Sequence, residues 1–407
     1  MFAEHLFQMK KIFLVTGLLA GVVTLIVSCS KFEPAAPADD QTLDGPVDNL
    51  TYAQAIQHGN GDVAFTSELF IKENGLGPVF VATSCGSCHA GDGKGHPFTT
   101  LVRFGQIDST GNQFLQAGGP QLQNRALPGY MPEQIPAGAT FASFTPPINS
   151  GLGFLELVSD ADILAMSDPG DVNGDGISGV PNWNQIPSFV NPRPNAITVN
   201  GKYICRFGKK ASVYDLLQQT ANAYNQDIGI TSVFDQKDAY SLLDIDPEIL
   251  TKKVNDVVFY LQTLKAPIQR NQGDADIIAG RQLFISINCS GCHRPELKTG
   301  SSPVDALSYK TFAPYTDLLL HDMGADLDDG YTEGNAKTNE WRTAPLWGLG
   351  LSPNSQGGGY FLMHDGRAKS IEEAIQMHGG EANNAKSNFN ALNEAEKQRL
   401  IKFLKSL

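Results

Sequence analysis

The chain has 407 residues, with 30 Lys or Arg against 43 Asp or Glu, a formal net charge of −13. No basic cluster offsets that excess, which excludes nucleic acid as an expected partner; an acidic surface suits a basic protein partner or serves solubility alone. Six cysteines and eight histidines are few enough that their placement carries most of the chemical information.

The N-terminal residues read as a targeting segment. Met9-Lys10-Lys11 supplies a basic start, and Ile12 to Val27 is an uncharged apolar run too short for a comfortable membrane span. Ile26-Val27-Ser28-Cys29 then resembles the bacterial lipoprotein signal, which implies that residues 1–28 are removed and Cys29 is lipidated. An ordinary secretory signal with a stray cysteine is the alternative. Residues 29–50 read as a flexible tether that stands the folded part off a membrane. The expected location is an exported, membrane-anchored lipoprotein on the periplasmic side or in the outer membrane of a Gram-negative bacterium.

Cys85-Gly-Ser-Cys88-His89 recurs as Cys289-Ser-Gly-Cys292-His293. Two cysteines so spaced can each form a thioether to a haem vinyl group, and the following His can hold the iron. A thioredoxin-type pair does not call for a His after both copies. Zinc ligands usually sit closer in sequence than these clusters, and two disulfides are the remaining alternative. The expected cofactors are two covalently bound haem c groups. Cys205 is left over and reads as a small buried hydrophobe.

Further along, Asp171-Val-Asn173-Gly-Asp175-Gly176 places oxygen ligands at alternate positions before a turning Gly, like the front of a calcium loop. The twelfth position is Asn182 rather than Glu, and an Asx-rich turn without metal is the competing reading. This loop lies in a stretch from about 100 to 205 that is rich in Gly, Pro and Asn and should be loops with short strands and turns. Val254, Val257, Val258, Leu261 and Leu264 recur at helical spacing, as do Leu400, Phe403, Leu404 and Leu407. Ile277 to Phe284 reads as a helix opened by Asp274, and Asn393 with Glu396 as a capping box. A helix leading into Cys-x-x-Cys-His and a last helix packing across it resembles the class I cytochrome c fold. The expected architecture is mainly α, with two tandem cytochrome c-like domains at 51–267 and 268–407, the first carrying the loop-rich insert.

Several stretches resemble the di-haem oxidoreductases once labelled thiol oxidoreductases, relatives of bacterial di-haem cytochrome c peroxidases and MauG enzymes. They include Asn74-Gly-Leu-Gly-Pro78, Gly118 to Arg125, Gly151 to Glu156, Asn173 to Gly179, Pro314 to Gly324, Glu340 to Gly348, His364-Asp-Gly-Arg367 and His378-Gly-Gly-Glu381. On the helix after Ser370, Ile371, Ala374, Ile375 and His378 share one face. That facing and the resemblance make His378 the first choice as second ligand opposite His293, with Met377 and Met323 as alternatives. For the haem of His89 no opposite ligand stands out, compatible with an open site. The resemblance implies a distal Gln and acid there, mapped to Gln219 and Asp227. The implied activity is that of an oxidoreductase taking electrons from an external donor, such as a small cytochrome or cupredoxin-like protein, through the C-terminal haem. Peroxide or a similar small oxidant would be reduced at the N-terminal one, Asp227 moving a proton between its oxygens. The alternatives are a non-catalytic di-haem electron-transfer lipoprotein and a haem-bearing binding protein for metal or nutrient uptake.

Overall fold

The computed structural model describes residues 37–407. The leader 1–28, Cys29 and the first residues of the tether lie outside the described residues. Asp39–Gln41 form one 3₁₀ turn of their own, and Thr42–Leu407 form a single unit. Its helices are α1 (Tyr52–Asp62), α2 (Leu152–Glu156), α3 (Asp160–Met166), α4 (Leu216–Ile228), α5 (Thr251–Thr263), α6 (Ala275–Ser286), α7 (Ile371–Met377), α8 (Asn383–Ala391) and α9 (Glu394–Ser406), with shorter turns between them. Among the described residues, no helix is long and apolar enough to cross a membrane.

Two helix pairs built alike position the two Cys-x-x-Cys-His segments: α1 crosses α5, and α6 crosses α9. The local signals are strong. Thr51 and Gln54 close a capping box on α1, Asp274 caps α6, and Asn393 with Glu396 closes the box on α9. The crossing point of each pair is a glycine. A Cβ on Gly61 would lie 2.1 Å from the Asp256 carbonyl oxygen and 2.6 Å from Tyr260 Cβ; on Gly280 it would lie 2.1 Å from the Arg399 oxygen and 2.7 Å from Phe403 Cβ.

Four residues after each glycine stands a Phe. Phe65 lies 5.5 Å from the Tyr260 ring and 5.9 Å from His89, while Phe284 lies 5.5 Å from Phe403 and 6.4 Å from His293. The same Gly-x-x-x-Phe device therefore ties each crossing to its histidine. The residues read as periodic from sequence, Val254, Val257, Val258, Leu261 and Leu264 in one pair and Leu400, Phe403, Leu404 and Leu407 in the other, are all buried. Each such side chain contributes on the order of 1.5–3 kcal/mol.

Among the described residues the strands form five small antiparallel sheets. β1 (Val79–Phe80) pairs with β3 (Arg125–Ala126), and β2 (Leu101–Phe104) with β4 (Phe141–Phe144). β7 (Lys202–Cys205) lies between β5 (Asn182–Asn184) and β6 (Thr198–Val199). β8 (Leu297–Lys298) pairs with β9 (Thr311–Phe312), and β10 (Leu320–Asp322) with β11 (Glu340–Arg342). The insert from about 100 to 205 has the expected turns and short strands but also holds α2 and α3. Ser159 caps α3 by accepting from the Asp162 N–H, a signal too local to register as a long period.

The tether expected up to residue 50 ends sooner. Leu43 and Val47 are buried, the Val47 N–H donates to the Thr263 carbonyl at 2.8 Å, and the Lys265 N–H donates to Gly45 at 3.0 Å. Two apolar side chains in a polar run were enough to dock it on the end of α5. Beyond α5, the stretch 267–273 is latched to the end of α9, with the Arg270 N–H on Ser406 O at 2.8 Å and its Nη2 on Leu407 O at 3.1 Å.

Gly280→Ala tests the crossing. Alanine favours the helix intrinsically by about 1 kcal/mol, yet its Cβ meets backbone, so the variant is expected to lose about 1–3 kcal/mol in net stability. Urea denaturation reads this directly; an unchanged or raised midpoint would contradict it.

Candidate functional site

The first motif lies on the turn after β1. His89 Nδ1 sits 3.1 Å from the Pro147 carbonyl, and burial pushes the ring's pKa down to about 4. A neutral imidazole that donates from Nδ1 to a carbonyl presents a lone pair at Nε2, the arrangement of a metal-ligating His. Burial pushes the Cys85 thiol up to about 12 and Cys88 to about 11. All described cysteines are free, so the disulfide reading has no support. Cys85, His89, Arg103, Lys209 and Asp227 are enclosed by protein yet keep water-reachable surface, as residues lining a crevice do. The Tyr224 hydroxyl, buried beside Cys85, has no hydrogen-bond partner among the described residues. A crevice with two thiols, an imidazole lone pair and an unmatched hydroxyl fits a haem.

Asp227, at the end of α4, lies beside this motif: its charge raises both Cys85 and Cys88. Burial pushes its own carboxyl up to about 6, against the opposing pull of Gln121 and Arg103. Gln121 Nε2 donates to Asp227, and Arg103 Nη1 reaches Gln121 at 3.3 Å and Gln226 at 3.1 Å. Arg103 is in turn paired with Glu333. Gln219 is half-buried on α4 and no side-chain hydrogen bond joins it to this group. The glutamine that meets the acid is Gln121, which the sequence reading missed. It lay inside the quoted stretch Gly118 to Arg125. No second imidazole makes a ring contact with His89 among the described residues. Met131 is 71% exposed and Met166 packs against the core, so neither stands out as an opposing ligand. His96 stacks on Phe98 at 4.6 Å, its Nδ1 accepting the Phe98 N–H.

The second motif repeats the first. His293 Nδ1 lies 2.9 Å from the Tyr315 carbonyl, and burial lowers its pKa to about 4. Facing it is His378. α7 stops at Met377, one residue before this His, but the ring still turns inward, with Nδ1 2.7 Å from the Ala374 carbonyl. Ser370 caps α7, its side chain accepting the Glu373 N–H, and the Glu373 carboxylate accepts the Lys369 N–H. The His293 and His378 ring centroids are 6.4 Å apart. One metal with an imidazole on either side at about 2 Å, plus roughly 1.1 Å from each nitrogen to its ring centre, gives roughly 6.2 Å. At that separation His293 and His378 would be able to hold one iron between them. Met377 packs among apolar neighbours and Met323 packs beside Trp341, so the geometry favours His378.

His321 borders this second site. It is 2.9 Å from Asp317 Oδ2 and 2.7 Å from Glu381 Oε2, with Cys292 Sγ at 3.6 Å. The two carboxylates raise its pKa well above the ordinary value, so it is an imidazolium pinned between them. Glu381 also takes Ser178 Oγ at 2.6 Å and the Ser178 N–H at 3.0 Å, fastening the Asp171 loop onto this site. Within that loop, Asp171 accepts the Gly176 N–H, Asn173 the Asp175 N–H, and Asp175 the Ile177 N–H. These side chains serve as turn-forming acceptors. Cys292, Asp317 and His321 are the one described His/Cys/Asp/Glu group close enough to share a metal.

The Glu381 carboxyl is lowered to about 2, with His321 and Ser178 holding its charged form. Its folded pKa lies below the unfolded one, so the stability it adds is complete above the ordinary range near 4.5 and is lost as pH falls through about 2. Glu381→Gln is expected to cost about 1–3 kcal/mol at neutral pH and to flatten stability between pH 4.5 and 2. Thermal melts across that range check both effects.

A family model described as "Di-haem oxidoreductase, putative peroxidase" matches residues 141–407. No curated protein matches the chain. Among solved structures, a MauG-like protein associated with microbial copper homeostasis is similar at 15% identity and TM-score 0.40, covering 92% of this chain and 95% of that one. Hydrazine synthase from Kuenenia stuttgartiensis, in a structure pressurized with xenon, is similar at 13% identity and TM-score 0.36, covering 92% of this chain and 98% of the other. With the matched segment spanning well over half of the sequence and including the second motif, His378 and Glu381, the chain belongs to the di-haem oxidoreductase family.

Proposed function

We propose that this is an exported di-haem c-type oxidoreductase, lipid-anchored through Cys29 and facing the periplasm, built from two tandem cytochrome c-like halves. Electrons enter at the C-terminal centre from a small cytochrome or cupredoxin-like donor, and peroxide or a similar oxidant is reduced at the N-terminal centre. The observation that carries this reading is the difference between the crevices. His293 has an imidazole opposite it at a two-ligand separation, whereas His89 shares its crevice with an acid. The shared Gly-x-x-x-Phe crossing supports the tandem arrangement. Haem supplies one-electron chemistry, and where one axial position is open it can also bind a small oxidant.

The residues then have distinct tasks. Cys85, Cys88, Cys289 and Cys292 hold the two groups covalently, and His89 and His293 bind from one side with their orientation set by carbonyls. His378 completes the second centre for electron transfer. Asp227, with a carboxyl pKa of about 6, holds or releases a proton near neutral pH, and Gln121 with Arg103 keeps it oriented. The oxygens of Asp171, Asn173 and Asp175 serve their own turn, so the reading requires no calcium there.

Peroxide turnover by the full-length holoprotein tests the reading. Asp227→Asn is expected to lower kcat/KM by about 10²–10⁴-fold. It should also remove a limb that rises as pH passes through about 6 in the parent, where the carboxylate forms. Both irons staying low-spin with no turnover would leave an electron carrier instead. His378→Gly is expected to keep two covalently attached haems while the C-terminal centre loses its low-spin signature in electron paramagnetic resonance. A low-spin signal that persists would assign the ligand elsewhere.

A further inference from the structure

Three cations converge on the first crevice with too few anions to match them. Lys94 lies five residues after His89, and among the described residues its Nζ has one hydrogen bond, to the Met363 carbonyl at 3.3 Å. Lys209 has no hydrogen-bond or ion-pair partner for its ammonium among the described residues, and its charge is felt at the His89 ring. Arg342, on β11, is tied to the same turn: its N–H donates to Lys209 O at 3.0 Å and its Nε to Gly208 O at 2.9 Å. All three are enclosed by protein yet keep water-reachable surface, so they line a crevice rather than the exterior.

The anions within reach are already engaged. Asp365, the acid that faces both Lys94 and Lys209, is bonded to Arg367 Nε at 2.7 Å. Asp317, which acts on Arg342, is spent on His321. Enclosed like charges are costly unless an opposite charge joins them. Burial holds Lys94 down at about 8, and burial with the repulsion of Lys94 and Arg342 holds Lys209 well below the ordinary ammonium range. An arriving anion would relieve both.

We propose that Lys94, Lys209 and Arg342 form an anion cradle for the propionate carboxylates of the porphyrin attached at Cys85 and Cys88, and that their charge raises the reduction potential of that centre. This rests on the haem reading of the two motifs. The carboxylates are the anionic part of the porphyrin, and the cradle lies on the wall where His89 feels Lys209. Positive charge near an iron favours its reduced form, which carries one positive charge less. The second crevice is opposite in sign, with Asp317 and Glu381 around the single imidazolium of His321.

Spectroelectrochemical titration of the full-length holoprotein tests this without reference to turnover. In Lys209→Met and Lys94→Met the midpoint of the N-terminal haem is expected to fall while the C-terminal midpoint stays in place; Lys209→Arg should retain the parent value. An N-terminal midpoint unmoved by Lys209→Met, an equal fall at both haems, or a fall in Lys209→Arg as large as in Lys209→Met would overturn the cradle. The absorption spectrum of the parent in the same preparation separates the two layers of inference. A chain without thioether-bound haem overturns the haem reading itself, whereas a haem-loaded chain with unmoved potentials overturns the cradle alone.

Discussion

Everything in this molecule that concerns chemistry depends on how two imidazoles spend one nitrogen each. His89 and His293 both commit Nδ1 to a backbone carbonyl, Pro147 O and Tyr315 O, and burial keeps both rings neutral near pH 7. That commitment leaves Nε2 as the one lone pair and fixes where it points. The glycine crossings act on the same requirement from the other side. By letting α1 approach α5, and α6 approach α9, to backbone contact, they bring Phe65 and Phe284 against the histidine rings. The helix packing and the histidine orientation are one constraint, met twice.

What lies beyond each imidazole then separates the halves. His378 is brought opposite His293 by a short helix and a backbone docking with almost no room. A Cβ on Gly380, which has φ +54°, would lie 2.1 Å from the Asp322 oxygen. That approach lets Glu381 turn back onto His321 immediately after the ligand residue. In the other half the corresponding space is bordered by Asp227, Gln121 and Arg103, polar groups that hold one another rather than ligate. One crevice sets a second imidazole opposite the first, the other sets a titratable acid beside the motif.

The parts legible in the sequence were those written locally. The two Cys-x-x-Cys-His motifs, the caps at Asp274 and Asn393, and the periodic faces of α5 and α9 could each be read within about a dozen residues, and each has its expected place. The inward turn of His378 was legible because Ile371 and Ala374 share its face, although the helix itself stops one residue short. What could not be read was pairing across the chain. Gln121 meets Asp227 over 106 residues, and no local pattern distinguishes it from Gln123 beside it or from Gln219. The docking of Leu43 and Val47 rests on a few apolar residues in a polar run whose partner, the end of α5, lies more than 200 residues away.

The insert shows why sequence order misleads about which half a segment serves. Residues 168–180 belong by position to the N-terminal half, but their contacts lie with the other one. Ser178 binds Glu381, Val180 pairs with Leu320, and a Cβ on Gly291, inside the second Cys-x-x-Cys-His, would meet Ile177 at 2.4 Å. The aspartates of that loop, spent on their own amides, stiffen the turn that delivers Ser178. A serine from one half thus helps hold the carboxylate that charges His321 in the other, beside the thiol of Cys292. The two helix pairs are joined here by a segment whose place in space, not in sequence, decides its work, and the asymmetry between the crevices is held in part by that brace.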